Sequence, residues 1–193
     1  MSRHSCGLFT LCVLAAVGIS PHATDANESD PVISIRVEVS GALDGVNLHR
    51  AQQLTTAIYQ QAGVALDWTT HTAPPARSLI IVLATIAAAP AGVAPEAMGV
   101  APTPGDGSRG TTAYVFVDRV MSFTVAYRLA GEHVLACAMA HEIGHLLLPP
   151  NAHSSEGIMR SNWHPGLFPP KTPGVLGFPP EQARLLRLRV LGR

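Results

Sequence analysis

His141, Glu142 and His145 stand in the stretch Ala136 to Met159, ACAMAHEIGHLLLPPNAHSSEGIM. The pentad His-Glu-Ile-Gly-His lies in an apolar run long enough to be a buried helix. Residues four apart share one helix face, about one turn apart. His141 and His145 can therefore aim both imidazoles at one ion, which zinc takes at about 2.0–2.1 Å from nitrogen. Glu142 sits one residue round the helix, where its carboxylate can take a proton from water beside the ion without filling a coordination position. Two histidines and a glutamate with no common purpose would instead bury three polar groups without partners, at a cost of several kcal/mol. That cost favours a metal.

Zinc that does chemistry keeps three protein ligands and one open position. Pro149-Pro150 ends the helix, because proline has no N–H and clashes with the preceding turn. Asn151 tolerates left-handed backbone, and His153 then follows and can return to the ion. His164 is a rival third ligand and Glu156 a weaker one. Cys137, one turn before His141 on the same face, could be imagined as a further ligand but reads more simply as a small buried residue.

The whole run, His-Glu-x-x-His, a turn, a third His followed by Ser, then Gly157-Ile158-Met159, resembles the zinc site of the metzincin peptidases, nearest to their matrixin branch. The resemblance implies catalytic zinc on His141, His145 and His153, Glu142 as general base, and Met159 as the methionine of a turn beneath the metal. It implies a zinc-dependent metalloendopeptidase acting on peptide or protein. The spacing departs from the family in one place. A glycine three residues after the second histidine, and a third histidine three further on, are usual; here Leu148 and Asn151 hold those positions and His153 comes two residues later. Pro149-Pro150-Asn151 must then build the bend.

The resemblance also implies that Met98, Gly99, Val100 and Ala101 form an antiparallel edge strand bordering the cleft. Its unpaired edge groups would pair with extended substrate. Trp163 would line the pocket wall beyond Met159, although packing is an equally good reading of it. Ligands for the family's structural zinc and calcium are not evident, and Asp106 and Asp118 alone do not make a second metal site. A reading from another class is an exported zinc-binding or interaction protein with a catalytically idle site. It would need a fourth protein ligand, such as Cys137 or His164, in place of water. Hydrolysis of a non-protein amide would share the first chemistry.

The elements that must position these residues follow from periodicity. Pro31 to Val39 alternates and is rich in β-branched residues, so it reads as a strand, with a turn at Asp44-Gly45. Asn47 to Ala62 has apolar residues at helical spacing and Gly63 closes it. Val64 to Trp68 is a second strand, and strand, helix, strand with short joins implies a parallel unit. Ser78 to Ile86 is nearly all apolar, as a central strand covered on both faces should be. Ala87 to Thr112 reads as loop, Ala113 to Asp118 as strand, and Val120 to Leu129 as a short helix or a loop. Gly131 to Leu148 is apolar all round, as a buried helix is, with His133 near its wet start. Glu181 to Val190 is a closing helix, acidic early and basic late. Periodicity alone gives an α/β mixed sheet with helices. The resemblance implies a metzincin-like (zincin) single domain with one antiparallel edge strand, a central active-site helix and a C-terminal helix.

At 193 residues one domain is the default. Thirteen Lys plus Arg balance thirteen Asp plus Glu, which offers nothing to attract nucleic acid or an anionic membrane surface. Residues 1–26 read as a signal peptide: Arg3 and His4, an apolar run from Gly7 to Ile19 that is short for a bilayer span, then small residues with cleavage at Ala23 or Ala26. The domain is then 27–193, secreted or extracytoplasmic (periplasmic), with no stable membrane association and expected to be a monomer. So little chain separates signal and first strand that an inhibitory pro-segment is not expected. Cys137 would be the one cysteine left, so no internal disulfide is expected.

Overall fold

The computed structural model describes residues 30–41, 43, 45–69, 78–106, 108–168 and 176–192; the signal peptide expected over 1–26 and Asp44 lie outside them. Strand β1 (Val32–Val39) buries Ile33 and Ile35 in the alternating manner of its sequence. Helix α1 (Leu48–Gln61) begins at Asn47, whose Oδ1 accepts a hydrogen bond from the Arg50 N–H at 3.0 Å, a helix-starting cap. It stops at Gly63, whose φ of 72° is the left-handed geometry that glycine adopts freely. Strand β2 (Ala65–Thr69) then returns parallel to β1, with Val32 opposite Ala65.

Strand β3 (Leu79–Ala84) lies on the other side of β1, also parallel, and buries Leu79, Ile81 and Leu83. Strand β4 (Gly99–Val100) and strand β5 (Thr112–Phe116) complete a five-stranded sheet in the order β2-β1-β3-β5-β4. Three of the neighbouring pairs are parallel and β4 alone runs antiparallel, at the edge. The expected edge strand over Met98 to Ala101 is thus present but shorter. Met98 still contributes, through its carbonyl, to a 2.8 Å bond from the Phe116 N–H.

Helix α2 (Val117–Tyr127) grows directly out of β5. The strand expected to reach Asp118 therefore ends at Phe116, and the ambiguous segment that follows is helix. Asp118 explains the switch. It sits in the first helical turn, where negative charge is favoured, and its Oδ1 accepts from the Ile86 N–H at 3.0 Å. Arg128, with φ of 53°, ends the helix in left-handed geometry.

Helix α3 (Gly131–Leu147) is the pillar of the molecule, with every residue from Val134 to Ala140 buried. It packs on α1, and two polar side chains stitch the pair. Thr55 Oγ1 donates to the Ala136 carbonyl at 3.3 Å, and the Tyr59 hydroxyl donates to the Ala140 carbonyl at 3.0 Å. Helix α4 (Pro180–Val190) docks on this body through Ala183 and Leu186. Arg187 of α4 donates to the Ala62 carbonyl at 2.7 Å, at the end of α1. Among the described residues no helix is long and apolar enough to cross a membrane.

Candidate metal centre

His141 and His145 lie on one face of α3 as their spacing requires, with ring centroids 4.7 Å apart. Leu148 leaves helical geometry, Pro149-Pro150 cannot continue the helix, and Asn151 takes φ of 59°. That left-handed residue turns the chain back. His153 arrives with its ring 5.4 Å from His141 and 4.7 Å from His145, centroid to centroid. One ligand atom from each of the three histidines falls within 4.8 Å of the others. The double-proline corner thus absorbs the two extra residues.

The His141 ring is oriented from behind. Its Nδ1 lies 2.8 Å from the Ile158 carbonyl, which can only accept, so Nδ1 carries the proton and the Nε2 lone pair faces the cluster. His145 Nε2 is 3.0 Å from His141 Nε2. Two nitrogens sharing a tetrahedral zinc would stand about 3.3 Å apart, so this pair needs almost no adjustment. Burial pushes both imidazoles down to about 4, reinforced for His145 by its two histidine neighbours and for His141 by His153. Both therefore stay neutral, with the lone pairs that a metal requires. The donor set, three imidazoles, suits zinc.

Glu142 is buried beside them, and its Oε2 has no hydrogen-bond partner among the described residues. Burial pushes its carboxyl up to about 8. Gly99 of β4 makes room for it: an ideal Cβ there would lie 2.6 Å from Glu142 Oε1 and 2.7 Å from the Tyr114 carbonyl oxygen. Ile158 and Met159 are fully buried below the histidines, and the Met159 segment is tied to the His153 segment by the Ser154 N–H donating to the Met159 carbonyl at 2.9 Å.

The site opens into a cleft of about 640 Å³. Met98, Gly99, Val100 and Ala101 line it on the β4 side, and Trp163 lines it beyond Met159. Trp163 also packs edge-on to His141 at 5.7 Å, so lining and packing are both its work. The rival ligands do not join: among the described residues the three histidines gather without His164, Glu156 or Cys137. Cys137 is buried, which pushes its thiol up to about 12. Asp106 accepts from the Ser108 N–H at 2.9 Å, and Asp118 is spent on Ile86. His133 is half-buried at the start of α3, edge-on to Phe168 at 5.9 Å.

Several residues around the centre carry no motif. Ala138, three before His141, lines the cleft and is readable from helix geometry alone. Glu96, Phe123 and Arg160 to Asn162 also line it. Arg109 and Gln182 reach the site's supports from distant segments, with no local signal: Arg109 to the Leu147 and Leu148 carbonyls, Gln182 to the Ala152 carbonyl. No family model matches the chain, and no curated protein matches it in sequence.

Proposed function

We propose that the chain is a zinc-dependent metalloendopeptidase of metzincin type, exported from the cell. The observation that carries this reading is the juxtaposition of three imidazoles with a buried carboxylate, one oxygen of which has no partner among the described residues, on the floor of a cleft bordered by a sheet edge. His141, His145 and His153 would hold the zinc. Bound there, zinc supplies Lewis acidity to a carbonyl and lowers the pKa of water to about 7. Glu142 does the proton work. Its free Oε2 takes a proton from the attacking water, and the same carboxyl hands it to the leaving amine. Burial favours the protonated form, which suits the second of these tasks.

The other groups bind and orient. β4 is an edge strand, so its outward N–H and C=O groups are open to an extended peptide. The Ile158 carbonyl fixes the tautomer of His141. An idle, structural site would call for a fourth protein ligand, and among the described residues no other His, Cys, Asp or Glu gathers with the three. Export is supported by the apolar run from Gly7 to Ile19.

The test pairs metal analysis with digestion. Purified mature protein should carry one zinc per chain and cut casein, and a chelator should stop it. Glu142→Gln should keep the zinc and lose the cutting. A zinc-loaded wild type that leaves casein and a broad peptide library intact would overturn the reading, as would a Glu142→Gln variant that still cuts.

A further inference from the structure

Three consecutive residues after Met159 line the cleft: Arg160, Ser161 and Asn162. Their place is fixed from both sides. Arg160 pairs in a β-bridge with Ser154, the residue after His153, and Met159 is fully buried. Trp163, against His141, sets the segment beside the histidines. All three side chains can donate hydrogen bonds. None of the three side chains has a hydrogen bond or an ion pair among the described residues, where the ion pairs are Arg36 with Glu38 and Arg184 with Glu181. Glu96, also on the cleft, leaves the guanidinium free.

Arg160 is half-buried, so a charge brought to it is screened less than in open water. A guanidinium is a planar fork that matches a carboxylate with two parallel hydrogen bonds. Adjacent hydroxyl and amide donors extend that fork. We propose that Arg160, with Ser161 and Asn162, is a carboxylate-binding subsite that selects substrates presenting an anionic group on the His141 side of the centre. The inference rests on the peptidase reading of the cleft. The carboxylate comes either from an Asp or Glu side chain or from the C-terminus of the substrate, and both present the same group.

The experiment measures binding and cleavage together on the zinc-loaded full chain. The probes are a blocked peptide carrying Asp, its Asn counterpart, and a neutral peptide with a free or an amidated C-terminus. One carboxylate-bearing member should bind about tenfold tighter than its neutral twin, as a charge-assisted hydrogen bond warrants. The pair that responds identifies the source. Arg160→Gln and Arg160→Ala should erase the difference while leaving the neutral peptides unchanged, and Arg160→Glu should turn the preference toward a Lys-bearing peptide. Equal binding of both members of both pairs by the wild type overturns the subsite, as does a preference that survives Arg160→Gln. Binding without cleavage of any peptide counts against the peptidase reading alone, because the affinity differences still decide the subsite.

Discussion

The sulfur of Met159 occupies the space where a side chain on Gly144 would begin: an ideal Cβ on Gly144 would lie 2.5 Å from Met159 Sδ. Gly144 is the fourth residue of the pentad, so the helix that carries His141 and His145 and the buried methionine touch through a missing side chain. Met159 is fully buried, and the same Cβ would also lie 3.3 Å from Phe178 Cε1. Gly144→Ala gains about 1 kcal/mol of helix propensity. Overpacking costs about 1–3 kcal/mol, so the net change should be destabilising. Thermal melts with and without zinc check this. The zinc-dependent rise in melting temperature should shrink, since His141 and His145 flank the displaced turn. A variant that melts like the wild type would mean that Met159 yields without cost.

The C-terminus of α3 has an unusual cap. Two prolines follow Leu148, and neither has an N–H to give back to the last carbonyls. Arg109 takes that place, donating from Nη1 to the Leu147 carbonyl at 2.8 Å and the Leu148 carbonyl at 2.9 Å. A cation there also suits the negative end of the helix. Arg109→Ala should cost about 1.5–3 kcal/mol, the range for a hydrogen bond to a charged group. Hydrogen exchange should quicken in the last turn, around His145, before it does in the sheet. Uniform exchange across α3 would argue that water caps the helix equally well.

Much of this was written in the sequence, for reasons that differ by element. α1 announces itself through its cap residue and apolar spacing and α3 through a long run apolar all round, and the pentad fixes two histidines on one face because helix geometry is local. β3 is legible as a continuous apolar run, although only one face is fully covered and Ile80 and Val82 on the other are half-buried. The junction of β5 with α2 is not, since a strand and a buried helix start look alike in Val115-Phe116-Val117 and the deciding bond comes from distant Ile86. His153 was readable as a ligand only through its company. The turn that delivers it rests on Asn151, whose left-handed φ the residue type permits but does not demand. Arg109, Gln182 and the carboxylate pocket around Gly99 join segments far apart in the chain, so no local pattern encodes them.

The metal-free protein should show opposed pH dependences. Burial lifts Glu142 from 4.5 to about 8, so the folded chain holds this proton more tightly than the unfolded one. That contribution is complete below pH 4.5 and is lost as pH rises through 8. His141 and His145 are pressed down from 6.5 to about 4, so their contribution is complete above pH 6.5 and is lost as pH falls through 4. Glu142→Gln removes only the first. Chelator-treated Glu142→Gln should therefore melt higher than wild type at pH 8, by up to a few kcal/mol at about 1.4 kcal/mol per pKa unit, and no higher at pH 4. Parallel melting curves across that range would show that the carboxyl is solvated in the metal-free state.

His153 is the one exposed member of the triad, and its position depends on neighbours rather than on burial. Gln182 of α4 donates from Nε2 to the Ala152 carbonyl at 2.8 Å, immediately before it, and the Ser154 N–H is tied to Met159 immediately after it. The closing helix thus positions the third histidine. A neutral hydrogen bond contributes about 0.5–1.5 kcal/mol, so Gln182→Ala should weaken zinc binding by up to about tenfold in competition with a chromogenic chelator. His153→Ala should weaken it far more, and His164→Ala should leave it unchanged. The Gln182 effect should appear as faster zinc release with the sheet and α3 intact by circular dichroism. If His164→Ala weakens binding as much as His153→Ala does, the third ligand has been assigned to the wrong histidine.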